Sequence, residues 1–350
     1  MSAVVGAVHR LRGATKLAVH HLGVLALLRR ARRRARSLVV RYHAVAPDGA
    51  VPAYASDEIT IPRRLFAAQM RFLKRAYTPV SLAAVVGALA RGGAPPPGSV
   101  VITFDDGYAD NYHQALPVLR ALQMPATVYV ATEGVDGGPL LWPSELRAAV
   151  MTSTVERLRV EIGGGHAFVL DDAAARHRAV RVLTNLLVPV EAALRRRILA
   201  TIRSELGVSG DRADLRHVML TSAQIRELHR SGIAIGAHTH THSNMTLIAP
   251  EQARAEIGGS RARLEAIVGA PVLDFAYPNT GGRHPHFNDA VAAIVRQLGF
   301  RSAVTSVAGA ISVASDRYRL PRVGVSPRLY REAPLAMALE RYRLFGEATA

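Results

Sequence analysis

An α/β fold built on a parallel sheet is predicted by three observations. Continuous apolar, β-branched runs such as Ser99 to Phe104 read as strands buried on both faces. Helical patterns alternate with those runs along most of the chain, as βα units require. The polar clusters stand directly after strands, at the C-terminal ends where barrels and open α/β sheets both carry their active sites. The 350 residues suit one large α/β domain or two ordinary ones. A hydrophobic share of 49% against 20% charged excludes a mainly disordered chain.

The elements follow in order. Leu38 to Tyr42, ending at His43, is a first buried strand. A loop leads to about Ile61, and Pro62 opens a helix through Leu73, at an early helix position where its missing N–H does no harm. Leu82 to Ala90 is a second helix, and Pro95, Pro96 and Pro97 stiffen the loop that follows. After the strand Ser99 to Phe104, a helix runs from about Ala109 to Leu122, with a kink or break expected at Pro117. Thr127 to Ala131 is the next strand.

From Trp142 to about Leu220 the character changes. A hairpin, Leu158 to Leu170, turns at Gly163-Gly164-Gly165, and two Arg-rich helices follow at about Asp172 to Leu187 and Val190 to Leu206. This stretch, about 143–220, reads as a mostly helical insertion. Alternation then resumes: helix Ser222 to Ser231, strand Ile233 to Ala237, helix Pro250 to Val268, strand Val272 to Tyr277, helix Asn288 to Leu298, and strands Ser302 to Ser306 and Leu320 to Val325. The domain is expected over 37–330, with 331–350 as a C-terminal tail.

Residues 1–36 form a separate basic segment. They hold Arg10, Arg12, Lys16, Arg29, Arg30, Arg32, Arg33, Arg34 and Arg36 and no acid, about half of the formal charge of +17. Such asymmetry implies an anionic partner for the segment. The cluster has no aromatic residue to stack on bases, so nucleic acid is not expected. The apolar run Leu22 to Leu28 is far shorter than the roughly 20 residues of a membrane span. Its strongest charge comes after the apolar run, the reverse of a signal peptide. An amphipathic helix on an anionic membrane surface and a plain solvated basic helix both fit. The expectation is a membrane-associated protein, with the cytoplasmic face favoured over the periplasm because basic segments prefer that side.

There are no cysteines, so a metal site must be built from His, Asp or Glu. One cluster offers this: Thr103-Phe104-Asp105-Asp106-Gly107-Tyr108. Two adjacent carboxylates after an apolar strand are costly unless a cation or hydrogen bonds compensate, although Asp-Gly is also a common turn pair. The second cluster is His238-Thr239-His240-Thr241-His242. Following a strand, its two outer histidines are expected on a loop, with His240 turned away. One carboxylate and two neutral imidazoles suit Zn²⁺ with open positions. The same set suits Fe(II) in an oxygenase, but a second Asp adds the base that hydrolysis needs.

These motifs resemble those of the polysaccharide deacetylases with a NodB-type domain (carbohydrate esterase family 4). Thr103 to Tyr108 is similar to the first family motif, His238 to His242 to the second, and Asp274-Phe275-Ala276-Tyr277-Pro278 to the third. The resemblance spans roughly Ser37 to Val325. It implies a distorted (β/α) barrel and a divalent metal, usually Zn²⁺, held by Asp106, His238 and His242. Asp105 would be the base, and a backbone N–H near Tyr277, or Tyr108, would help stabilise the oxyanion. The implied reaction removes N-acetyl groups from a polysaccharide or glycan precursor of the cell envelope.

The sequence departs from the family in places. Ala276 stands where the third motif usually has an Arg that orients the base, and Arg322 in Leu320-Pro321-Arg322-Val323 is the candidate substitute. The late-strand Leu-x-His that supplies the acid is missing. Some members look circularly permuted with that strand first, and Val40-Arg41-Tyr42-His43 fits this, making His43 the candidate acid. Ser243 replaces a common Pro. O-deacetylation, hydrolysis of a small amide, and a membrane-tethered glycan-binding protein without catalysis are the competing readings.

Overall fold

The computed structural model describes residues 36–208, 215–279 and 284–346. The basic segment therefore lies, but for Arg36, outside the described residues. Along the chain run β1 (Ser37–Tyr42), β2 (Ala44–Ala46), β3 (Thr60–Pro62), α1 (Arg63–Ala76), β4 (Thr78–Pro79), α2 (Leu82–Ala90) and β5 (Ser99–Phe104). Then come α3 (Leu116–Ala121), β6 (Ala126–Val130), α4 (Trp142–Thr152), β7 (Arg157–Glu161), β8 (Gly165–Val169), α5 (Ala173–Leu187) and α6 (Ala192–Glu205). The chain ends with α7 (Ser222–Arg230), β9 (Ala234–Ala237), α8 (Pro250–Val268), β10 (Asp274–Ala276), α9 (Asp289–Gln297), β11 (Ser302–Val304), β12 (Ala310–Ile311), β13 (Val323–Gly324) and α10 (Glu332–Phe345).

The strands curl into a distorted barrel. Parallel neighbours run in the order β11, β10, β9, β6, β5, β1. The ring is completed by the segment 320–325. Leu320 bridges Val304 of β11, and β13 pairs in parallel with β1 through Val40 and Val323. Antiparallel β12 covers the start of β1.

The period of two along each strand separates the two faces of this barrel. Leu38, Val40 and Tyr42 of β1 and Val100, Ile102 and Phe104 of β5 pack outward in the large core with Phe66, Ile257 and Val295 of the surrounding helices. The alternate residues Val39 and Val101 join Tyr129, Ala276, Val304 and Leu320 in a separate interior cluster. Helix α2 belongs to that cluster through Leu82, Val85 and Val86, and so plugs the N-terminal end of the barrel. Gly236 is required by this filling: a Cβ there would stand 2.3 Å from the Tyr129 ring.

The interior becomes polar toward the C-terminal end. One step beyond Val39 on the same face of β1 comes Arg41, and His43 follows at its end. On β5, Thr103 and then Asp105 follow Val101. The positions that carry charge are thus those where each strand leaves the packed interior for the mouth.

The insertion has its own apolar core. Trp142, Leu146, Leu158, Leu183, Leu187, Leu199 and Ile202 cluster together, apart from the barrel cores. The β7–β8 hairpin is antiparallel, and Asp172 caps α5 by accepting from the Ala175 N–H. Helix α4, which the sequence analysis did not predict, joins insertion to barrel.

One expectation is met and one is corrected. The helix predicted over about Ala109 to Leu122, with its break at Pro117, is a π-helical turn at Asn111–Ala115 running into α3, with Pro117 in the first turn of α3. Pro cannot donate to a preceding carbonyl, so the hydrogen-bond ladder shifts where it enters. The expected tail from 331 contains α10, which buries Leu335, Ala336 and Leu339 in the main core. It follows Ser326 and Pro327 too closely to be separated from the domain by composition. Among the described residues, no helix is long and apolar enough to cross a membrane.

Candidate active site

The mouth of the barrel opens into a cavity of about 280 Å³ lined by His43, Asp105, Asp106, Tyr108, His238 and His242, among others. The two sequence motifs, far apart in the chain, meet there because β5 and β9 both flank β6.

Both motifs turn sharply as they leave their strands. Asp106 has φ of 75°, Thr239 of 66° and His242 of 54°, three of the five non-glycine residues with positive φ among those described. Each costs about 1 kcal/mol or more, and such residues concentrate at functional sites. The turns are held from outside. The Asp106 carbonyl accepts from Ala131 N–H, and the His238 N–H donates to Val130 O. Glu256 of α8 accepts from the backbone N–H groups of His240 and Thr241 at 2.9 and 2.8 Å. Trp142 donates its indole N–H to the His242 carbonyl at 3.2 Å. His240 pairs its Nδ1 with Thr132 Oγ1 and belongs to this frame.

Asp106, His238 and His242 present one ligand atom each within 4.8 Å of one another, all buried. Asp106 Oδ1 lies 3.5 Å from His238 Nε2 and 3.2 Å from His242 Nε2. Ligand atoms about 2.1 Å from a tetrahedral centre stand roughly 3.4 Å apart, so the spacing fits Zn²⁺. The His238 Nδ1 is 2.8 Å from the Ala276 carbonyl. A carbonyl only accepts, so the proton sits on Nδ1 and the Nε2 lone pair faces the site. Burial raises the Asp106 pKa, but the two imidazoles outweigh it and hold the carboxyl well below its ordinary value.

Asp105 is treated differently. Arg322 of the closing segment, fully buried, grips both its carboxylate oxygens at 2.7 Å. The guanidinium is itself fixed by Thr305 O and Thr103 Oγ1 at 2.8 and 3.3 Å. Burial opposes the charge on Asp105, but Arg322 dominates and keeps the carboxyl ionised far below the usual carboxylate range. One acid thus belongs to the three-ligand site, and its neighbour is an oriented, ionised carboxylate.

His43 lines the same cavity, with its Nδ1 buried and unpartnered. Burial pushes its pKa down to about 4, with Arg41 and Arg322 adding to this and Asp106 opposing. Its imidazole is neutral at neutral pH and readily gives up any proton it acquires. Tyr108 reaches the cavity too, its OH 2.8 Å from Ser144 Oγ. Its chain neighbours pair with the extended segment 218–220, through Ala109 N–H to Val218 O and Leu220 N–H to Gly107 O, around an isolated antiparallel bridge between Tyr108 and Met219. That pattern turns the Tyr108 N–H away from Met219.

The family model for polysaccharide deacetylases matches residues 92–158 and 190–303, more than half of the chain. This protein belongs to the polysaccharide deacetylase family. A Bacillus subtilis protein named for the same family, YxkH, is 22% identical over 290 residues, covering 83% of this chain and 71% of that protein. The Escherichia coli K12 poly-beta-1,6-N-acetyl-D-glucosamine N-deacetylase is 37% identical over 90 residues, 25% of this chain and 13% of its own. Among solved structures, the Streptococcus pyogenes deacetylase PplD in complex with acetate superposes with a TM-score of 0.56 at 19% identity, covering 87% of this chain and 98% of that one. IcaB from Ammonifex degensii gives 0.54 at 20%, covering 87% and 97%. These likenesses are of fold: the barrel is that of the deacetylases.

Within this polysaccharide deacetylase, the third motif is the part that departs from expectation. Ala276 sits in the interior cluster, and the carboxylate of Asp105 is gripped by Arg322 of the closing segment instead. Tyr277 does not reach the cavity. Its N–H donates to Val304 O within the sheet, and its OH donates to Tyr318 O at 2.9 Å while the ring stacks on Phe287. Its strand register points it outward, into the helical layer, so the expected oxyanion role is corrected. Sequence reasoning also missed Arg41, which stands two residues before His43 on the same strand face and lines the cavity. The period of two was a signal for it. Trp142, Ser144 and Arg147 carried no such signal, since α4 was not foreseen.

Proposed function

We propose that this polysaccharide deacetylase removes N-acetyl groups from hexosamine residues of a polymer, with Asp106, His238 and His242 holding a divalent metal, Zn²⁺ by preference. The carrying observation is the unlike treatment of two neighbouring acids: Asp106 is one of three convergent ligands, while Asp105 is clamped by Arg322. A binding module has no use for an ionised base beside its ligand set.

When bound, the metal supplies Lewis acidity toward the acetyl carbonyl and lowers the pKa of water. The remaining work falls to the chain. Asp105, fixed in plane by Arg322, takes the proton from the attacking water. The Tyr108 N–H is the candidate donor to the developing oxyanion. His43, whose neutral imidazole takes up the proton that Asp105 removed from the water, passes it to the leaving amine, and strand β1, lying between β5 and β13, takes the place of the family's late strand. Glu256 and Trp142 hold the His238–His242 turn in position.

N-acetylated substrates are favoured over O-acetylated ones by His43, because an amine leaving group needs a proton where an alkoxide needs it less. The named activity of the Escherichia coli relative points the same way. A membrane-associated placement through residues 1–36 remains part of this proposal. Liposome binding lost on deleting that segment, with turnover on a soluble substrate unchanged, is its expected signature.

The test is acetate release from N-acetylglucosamine oligomers by Zn²⁺-loaded protein, with a chelated sample and Asp105→Asn as controls. Release that disappears in both supports the proposal. Release that survives in Asp105→Asn would remove the base from it. Release from an O-acetylated xylan but from no N-acetylated oligomer would replace it with the esterase reading.

A further inference from the structure

Arg147 is a buried cation with no counter-ion among the described residues. It is 6% exposed and lines the catalytic cavity. Its Nε is buried with no hydrogen-bond partner, and among the described residues its guanidinium makes no ion pair. Burial lowers its pKa, with the charges of Asp57 and Tyr108 opposing, but an Arg keeps its charge at neutral pH. Asp57 and Glu58, the acids near it, are exposed on the rim. An arginine buried this deeply is ordinarily paired, so the missing partner calls for an explanation.

Its position says where a partner would lie. Arg147 follows Ser144 by one turn of α4, and Ser144 bonds the Tyr108 hydroxyl beside Asp106. Neighbours three apart on a helix stand about 5–6 Å apart. Arg147 thus lines the cavity beside, and not at, the three-ligand site. Arg41 adds a second cation to the same cavity: it bonds the neutral Ser306 hydroxyl, and its Nε too is unpartnered. The acids deeper in the cavity are already engaged, Asp105 by Arg322 and Asp106 by the two histidines.

We infer that Arg147 is a specificity residue for an anionic glycan: it receives a carboxylate or phosphate group carried on, or next to, the N-acetylhexosamine being deacetylated. A planar guanidinium matches either group with two parallel hydrogen bonds. The inference rests on the deacetylase reading for the position of the acetylated sugar, but not for the binding of the anion.

The experiment compares three tetrasaccharides on the full-length, Zn²⁺-loaded protein: neutral N-acetylglucosamine, alternating N-acetylglucosamine–glucuronate, and a phosphodiester-linked N-acetylhexosamine oligomer. Acetate release and equilibrium binding are both measured, for wild type, Arg147→Gln and Arg147→Lys. The expected result is tighter binding and higher kcat/KM for one acidic oligomer than for the neutral one. The preference should fall about tenfold in Arg147→Gln, mainly in KM, with partial rescue in Arg147→Lys. Whichever acidic oligomer is favoured identifies the source of the anion. A wild type that does not favour an acidic oligomer overturns the inference, and so does a preference that survives in Arg147→Gln. If none of the oligomers releases acetate, the deacetylase reading fails. Binding of the acidic oligomers that is weakened in Arg147→Gln would still uphold the role of Arg147, and unchanged binding would end it. If Arg147→Gln does not fold, the wild-type ratio and Arg147→Lys decide.

Discussion

In the barrel, the buried polar groups around Asp105 are held by one another; the core of the insertion is hydrocarbon. Arg322, Asp105, Thr103 and Thr305 form a closed set at zero or near-zero exposure. The insertion core is instead Leu146, Leu158, Leu183, Leu187, Leu199 and Ile202. The first arrangement depends on orientation, and each member is over-determined by its neighbours. The second depends on volume and tolerates changes that conserve it. The family match breaks within the insertion, at 159–189, over most of the hairpin and α5, while α4 and α6 lie inside it. The difference teaches that the reaction is set in the barrel, while the walls that meet the substrate, such as Val180 and Thr184 of α5, belong to the replaceable part.

The comparison breaks most visibly if the ligand set is not where it is placed. His238→Ala is expected to remove bound metal, measured by elemental mass spectrometry, and to bring acetate release to background. Asp105→Asn should lower kcat by about 10²–10⁴ while metal content stays at the wild-type level. Metal lost in Asp105→Asn would mean that the two acids are not divided as described.

Arg322→Met should destabilise the fold by about 3–5 kcal/mol, because it leaves Asp105 buried and unpaired. Asp105 then titrates higher, so the acid limb of the kcat/KM profile should move to higher pH. In the wild type its depressed pKa gives stability that is full above the ordinary value of 3.8 and fades as the pH falls below it. Denaturant melts against pH check the sign.

Leu183→Ala should cost about 2–5 kcal/mol through its cavity, yet leave metal content unchanged. An equal loss of metal would show that the insertion is not separable from the barrel mouth.

A pH-dependent effect on stability is expected at Asp110. Burial pushes its carboxyl up to about 7, against bonds from Val45, Tyr54 and Asn111. The folded state then holds a proton that the unfolded state gives up, so stability should decline as pH rises from about 4 to 7. Asp110→Asn should flatten that slope, read from thermal melts across the range.

Much of this was legible in the sequence, for identifiable reasons. Ser99 to Phe104 and Leu82 to Ala90 were read at their observed limits, since period and punctuation agree there. Asp105, Asp106, His238 and His242 converge because each follows a strand of one parallel sheet. Arg322 was reached from a vacancy, the Ala at 276. Tyr277 misled because a motif gives order along the chain but not which face a strand turns inward. Helix α4 was hidden because Trp142-Pro143 reads as a break, although Pro is welcome in a first helical turn. Arg147 could not be found without it.

The plugged barrel has a kinetic consequence. Below Asp105 the interior is filled by Val39, Val101, Tyr129, Ala276, Val304 and Leu320, all at zero exposure, and α2 closes the far end. Among the described residues, the cleaved acetate therefore has no rear exit and leaves by the mouth through which the glycan enters. Both products share that one mouth, so added acetate is expected to compete with glycan binding.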